Sequence, residues 1–206
     1  MTSNVDEQVK EIKRSFRLVM NGVTAQSMRD KGADYHINWG APLPELKKMA
    51  ANITPDIHLA IALWKENVRE CRILALMLMP PEEMSQELTD LWMEQTTTVE
   101  LAELGAHCLY AKTAYAAEKA YCWIASERML CQVAGFNVVA RLMAQGIAPN
   151  EKGINEFIDQ ALVALQGENL SVRKAAMAAI VRFAELGLDY QRIAKSALKT
   201  IDADFL

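Results

Sequence analysis

The sequence predicts an all-α fold, and three observations lead to it. Apolar residues recur with a period near 3.6 along almost every segment, not in the alternation of half-buried strands. Clusters of β-branched residues bounded by turn signals are nearly missing. The helical segments also fall into pairs with short joints, recurring every ~35 to 45 residues, the pattern of a helical-repeat solenoid in which each pair buries its apolar face on its neighbours. The pairs share no obvious consensus, so a compact bundle without repeats stands as the alternative.

In chain order, "VDEQVKEIKRSFRLVMNG" is amphipathic, with Val9, Ile12, Phe16 and Val19 at i, i+3, i+7 and i+10, and is expected to stop at Gly22. A short helix around "TAQSMRD" precedes the turn "KGADYHINWGAPL", and Pro44 near a first helical position opens a helix from about Leu43 to Asn52. "TPDIHLAIALWKE" and "VRECRILALMLM" follow as a pair, which Pro80 and Pro81 separate from "SQELTDLWMEQ". The remaining helices are predicted in "TTVELAELGAHCLYAKT", "AYAAEKAYCWIA", "SERMLCQVAGFNVVARLMAQG", "EKGINEFIDQALVALQG", "NLSVRKAAMAAIVRFAELG" and "LDYQRIAKSALKTID".

A chain of 206 residues that is 51% hydrophobic has enough apolar material for one substantial domain or two small ones, which argues against disorder. No apolar run reaches the ~18 to 20 residues of a membrane span, and the charged start is unlike a secretory signal, so the expectation is a cytoplasmic protein without membrane contact. Cys71, Cys108, Cys122 and Cys131 lack C-x-x-C spacing and read as buried thiols in a reducing compartment, not as a zinc site. With a net charge of −4, binding to nucleic acid would require a local basic face on an acidic body. No phosphate loop, nucleophile elbow or H-E-x-x-H is present, and no cofactor is expected.

Three stretches in order resemble the AlkD-like DNA alkylation repair proteins, which are built from HEAT-like repeats. "NWGAPLPELKKMA" is similar to that family's G-x-x-x-P-x-x-R/K turn, through Gly40, Pro44, Lys47 and Lys48. "LWKENVRECRILALMLM" resembles its LW…RE…AL segment, through Leu63, Trp64, Arg69, Glu70, Ala75 and Leu76, and "WIASERMLCQVAG" its W-I-x-S segment, through Trp123, Ile124 and Ser126. The resemblance spans roughly residues 5 to 195. It implies a right-handed α-solenoid of HEAT-like antiparallel helix pairs, a single C-shaped domain over 1–206. It also implies a concave face that cradles duplex DNA and, in catalytic members, excises cationic alkylated bases without flipping them into a deep pocket.

Carried over by position, the family's carboxylate that stabilises the cationic sugar falls on Glu103, with Glu100 as the alternative, and its flanking aromatic falls on Val99. The catalytic arginine after W-I-x-S falls on Val133, and a second groove aromatic on Ala178 or Ala179. Three of four expected groups are thus small and apolar. Losing one preorganised group costs ~10²- to 10³-fold in rate.

Glu100, Glu103 and His107 at i, i+3, i+7 share a helix face and read either as a metal or proton-transfer set or, more commonly, as a solvated stripe; His36 and His58 supply no predictable partner. Arg173 and Lys174 open one helix, with Arg182 further on; together with Lys47, Lys48 and Arg128 they read either as phosphate contacts that position DNA without reading sequence or, more commonly, as the charged outer faces of amphipathic helices. Arg69, Arg72 and Arg141 are further scattered cations. Trp64, Trp92 and Trp123 read as core, and Tyr35, His36 and Trp39 as loop aromatics that either act in binding or fold back onto the core. The methionines read either as an adaptable binding groove or, more commonly, as gap fillers between helices. Three functions follow: a DNA-structure-binding repair-like protein with weakened or lost glycosylase activity and duplex or branched DNA on its concave face; a protein-interaction scaffold holding a protein partner; or an active alkylpurine glycosylase using Glu103.

Overall fold

The computed structural model describes residues 2–33 and 35–201, with the side chains of Thr2 and Ser3 outside that description. Among the described residues there are twelve α-helices, one 3-10 turn and no strand, with an isolated parallel bridge from Ile37 to Val68. The all-α class is as predicted. The chain divides into two compact units, Met1–Leu104 and Gly105–Leu206.

In the first unit, α1 (Thr2–Val19) buries Val9, Ile12 and Phe16 and packs on α4 (Ile57–Lys65). It stops short of Gly22, because Asn21 turns to extended backbone and its side chain accepts the Thr24 N–H, starting α2 (Gly22–Asp30). The following loop is pinned back on that corner. Asn21 N–H donates to Trp39 O at 2.9 Å, and a Cβ on Gly40, which has φ +70°, would sit 2.1 Å from Asn21 O. Only glycine meets both demands.

Pro44 lies in the first turn of α3 (Leu43–Ala51), and the Asp56 side chain caps α4 by accepting the Leu59 N–H at 2.7 Å. Asn67, left-handed at φ 50°, makes the corner into α5 (Arg69–Leu78). That helix packs against α3 and α4, and every residue in it except Met77 is buried. After the two prolines, Ser85 caps α6 (Gln86–Glu94). Trp64 and Trp92 stack with ring centroids 4.3 Å apart, and the Arg72 guanidinium lies 5.1 Å from the Trp64 ring centroid. The boundary between the units falls within α7 (Val99–Cys108).

The second unit continues through a 3-10 turn, Tyr110–Lys112, into α8 (Ala116–Ile124), α9 (Met129–Ala144), α10 (Glu151–Gln166), α11 (Leu170–Ala184) and α12 (Leu188–Lys199). The predicted last helix extended to Asp202, which lies outside the described residues. Helix α9 is the centre, packed against both α8 and α11. A Cβ on Gly135 would lie 2.8 Å from Ala120 O and 2.9 Å from Ile124 N, so the absence of a side chain there is what lets α8 and α9 meet. Phe136, Phe157 and Phe183 fill the interior.

Candidate nucleic-acid interface

The first turn of α5 places charge inside the first unit. Arg69 is 2% exposed and Glu70 0%. The Glu70 carboxylate accepts the backbone N–H of Trp39 at 3.1 Å and of Ala41 at 3.2 Å, which ties the loop to α5. Arg69 Nη1 donates to Glu70 Oε1 and to Ala41 O, each at 3.0 Å. Its Nε and Nη2 donate to the two oxygens of Glu100 at 2.8 and 2.6 Å, a bidentate pair. Tyr35 OH donates to Glu100 Oε2 at 2.7 Å and lies 2.7 Å from Thr98 Oγ1.

Burial alone would raise the Glu100 carboxyl, but the hydrogen bond and charge of Arg69, then the Tyr35 bond, hold it below the ordinary carboxylate range. Burial would likewise lower Arg69, yet its pairing with Glu100 and Glu70 pushes it up. Burial and the Glu100 charge push the Tyr35 phenol up. Both Glu100 oxygens are engaged by the interior, so this carboxylate anchors the start of α7 to α5 and to the loop. Of the loop aromatics, Tyr35 therefore folds back onto the core, while His36 is exposed and Trp39 half-buried.

Glu103 and His107 lie exposed on α7 beyond Glu100, and Val99 is half-buried. In the second unit Val133 is 0% exposed, Ala179 is 0% exposed and Ala178 faces solvent. A side chain at position 133 therefore touches the interior of its own unit. Trp123 is core, as expected, and meets the Tyr110 ring edge-on at 5.2 Å.

The predicted phosphate contacts are all exposed. Lys47 and Lys48 lie on α3, where Lys48 pairs with Glu45 at 2.7 Å. Arg128 directly precedes α9, and Arg173 ends the first turn of α11 with Lys174 following it. The second unit thus carries three cations near the amino ends of two helices, and the helix dipole adds to the positive field at Arg128 and Arg173. Arg69 and Arg72 are buried and Arg182 is paired with Glu185 at 2.6 Å. One set of cations was missed in the sequence: Lys10, Arg14 and Arg17 are exposed along α1 at i, i+4, i+7, a spacing visible there all along.

Two of the concavities among the described residues have apolar walls. A cleft of about 740 Å³ runs between α1 and α4, with Val9, Ile61 and Ala62 in its wall and the Lys13–Glu66 ion pair across it. A pocket of about 250 Å³ in the second unit is lined by Ile124, Gln132, Gln160, Val163 and Val172 among others. Among the described residues no His, Cys, Asp and Glu group is placed to hold a metal ion, and no helix is long and apolar enough to cross a membrane. The expectation of four buried thiols is corrected: Cys71 and Cys131 are buried, Cys108 is half-buried and Cys122 is exposed on the outer side of α8. Helical spacing alone does not distinguish the outer face of α8 from its apolar flank.

The family model of the DNA alkylation repair enzymes matches residues 12–180, from Ile12 in α1 to Ile180 in α11. The chain belongs to the DNA alkylation repair enzyme family. A solved structure, described as a new family of proteins related to the HEAT-like repeat DNA glycosylases with affinity for branched DNA structures, shares the fold of this DNA alkylation repair family member. Its TM-score is 0.83 at 18% identity, covering 93% of this chain and 82% of that one. No curated protein matches the chain. The helical-repeat fold predicted from the sequence is thus the fold of this family.

Proposed function

We propose that this DNA alkylation repair family member binds DNA of unusual structure, branched duplex in particular, with N-glycosylase chemistry weakened or lost. The observation that carries the reading is the burial of Val133. At 0% exposure the position where catalytic relatives are expected to hold an arginine belongs to the packed interior of the second unit and offers no charge to a substrate. The matching aromatic positions hold Val99 and Ala178 or Ala179, neither of which supplies a ring. The described affinity of the structural relative for branched DNA supports the choice of ligand. Arg128, Arg173 and Lys174 serve as phosphate contacts in the second unit, and Lys47 and Lys48 in the first, all as positioning groups without base readout.

Glu103 is the exposed carboxylate of α7 and the one residue on which a residual glycosylase would depend. The test is release of alkylated base from methylated duplex DNA under single turnover. The expected result is no release above the uncatalysed background. Release that Glu103→Gln abolishes would overturn the reading and establish an active glycosylase. The 740 Å³ cleft with its apolar wall favours a second reading, a scaffold for a protein partner, for which failure to bind any DNA at low salt would speak.

A further inference from the structure

We propose that the 250 Å³ pocket of the second unit is a receptor for a single unpaired nucleobase carrying an exocyclic amino group, a proposal that rests on the DNA-binding reading above. The pocket forms where the end of α8, the start of α9, the end of α10 and the start of α11 converge. Its walls are apolar at Ile124, Val163 and Val172, and small residues, Ala164 and Gly167, keep it open. Into this surface come two side-chain amides, Gln132 and Gln160. Both are half-buried, and among the described residues neither side-chain amide has a hydrogen-bond partner. A primary amide presents a donor and an acceptor side by side, the complement of a base edge, and these two amides are open to solvent and hence to a ligand.

Size and charge narrow the ligand further. The volume lies below the ~300 to 1,000 Å³ of sites for drug-sized molecules, which suits one planar heterocycle with the rest of its nucleotide left in solvent. Glu168 also lines the pocket, and its carboxylate opposes a phosphate while accepting from an exocyclic amine. The cations needed for the flanking backbone stand nearby in sequence: Arg128 immediately before α9, four residues ahead of Gln132, and Arg173 and Lys174 just after Val172 on α11. Asn169 Oδ1 is spent on capping α11, accepting from Ser171 N–H at 3.0 Å and Val172 N–H at 3.2 Å, so Gln132 and Gln160 carry the recognition. A bulge is where DNA presents such a base at a lower unpairing and unstacking cost than an intact duplex imposes.

The experiment is a titration of the full chain, followed by the NMR signals of the Gln132 and Gln160 side-chain amides, with adenosine, thymidine and ribose 5-phosphate. Adenosine is expected to shift both amides and thymidine to shift them less, with no shift from ribose 5-phosphate. Equal shifts from ribose 5-phosphate would make this a phosphate site, and no shift from adenosine would leave the pocket without a base; either overturns the proposal. In parallel, a duplex with one unpaired adenine is expected to bind about tenfold tighter than its matched counterpart, the lower range of one amide–base contact. That preference should vanish in Gln132→Leu/Gln160→Leu and weaken in Gln160→Glu, which keeps an acceptor for the amine but loses the amide donor, with matched-duplex affinity unchanged for the leucine pair. Preference undiminished in those variants contradicts the pocket. Failure of wild-type protein to bind any DNA would remove the DNA-binding reading, while the nucleoside titration still decides what the pocket accepts.

Discussion

Arg69 shows how a single residue organises the first unit. It is 2% exposed and holds Glu70 and Glu100 at 3.0 and 2.6 Å, so its removal leaves one fully buried carboxylate facing only backbone donors. Breaking a buried pair from one side costs about 3 to 5 kcal/mol, and Arg69→Met is expected to lose stability in that range by urea denaturation. A loss below 1 kcal/mol would show that the pair is not a structural anchor. The pairing also sets a pH dependence. Because the folded Glu100 pKa is depressed, its contribution is fully present above about pH 4.5, the unperturbed value, and is lost as pH falls through the lower folded value. Glu100→Gln should flatten that acid limb of the stability curve; an unchanged limb would assign it to other carboxylates. Val133 makes the complementary test. Placing an arginine at a fully buried site leaves a charge without a partner, so Val133→Arg is expected to destabilise the chain strongly and to gain no base excision. A stable variant with new glycosylase activity would contradict the placement of that side chain in the interior. The Glu100 network was not legible in the sequence, because Tyr35 and Arg69 reach Glu100 from 65 and 31 residues away, and spacing on α7 alone gives Glu100 and Glu103 the same standing.

At the scale of elements, the sequence was far more informative. Helix positions follow from local periodicity, and the caps at Asn21, Asp56, Ser85 and Asn169 satisfy amide groups a few residues away, so both could be read in the chain itself. What periodicity omits is which helices meet and how closely. The approach of α8 to α9 depends on Gly135, whose added Cβ would lie within 3 Å of backbone atoms that cannot rotate aside. Gly135→Ala is therefore expected to destabilise by about 1 to 3 kcal/mol through overpacking, against a helix-propensity gain of about 1 kcal/mol. Urea unfolding with an unchanged slope is the check, and a variant as stable as the parent would mean the two helices move apart without strain. The same limit explains Cys122: its place on a helical face was visible, but not which face the neighbouring helices would cover.

For the whole molecule, family and fold agree with the ordered resemblance of three short stretches, while function depends on residues whose partners only the structure shows. The net charge of −4 makes any DNA affinity the work of local cations set against an acidic body. Each neutralised phosphate releases counterions, so affinity must fall with salt, with a slope that reports how many cations make contact. The most direct measurement is the affinity of the full chain for a four-way junction and for linear duplex of the same composition at stepped salt concentrations. The expected result is tighter binding to the junction, with log affinity falling linearly with log salt for both. Absence of binding at the lowest salt, or equal affinity for junction and duplex throughout, would contradict a DNA-structure-binding role.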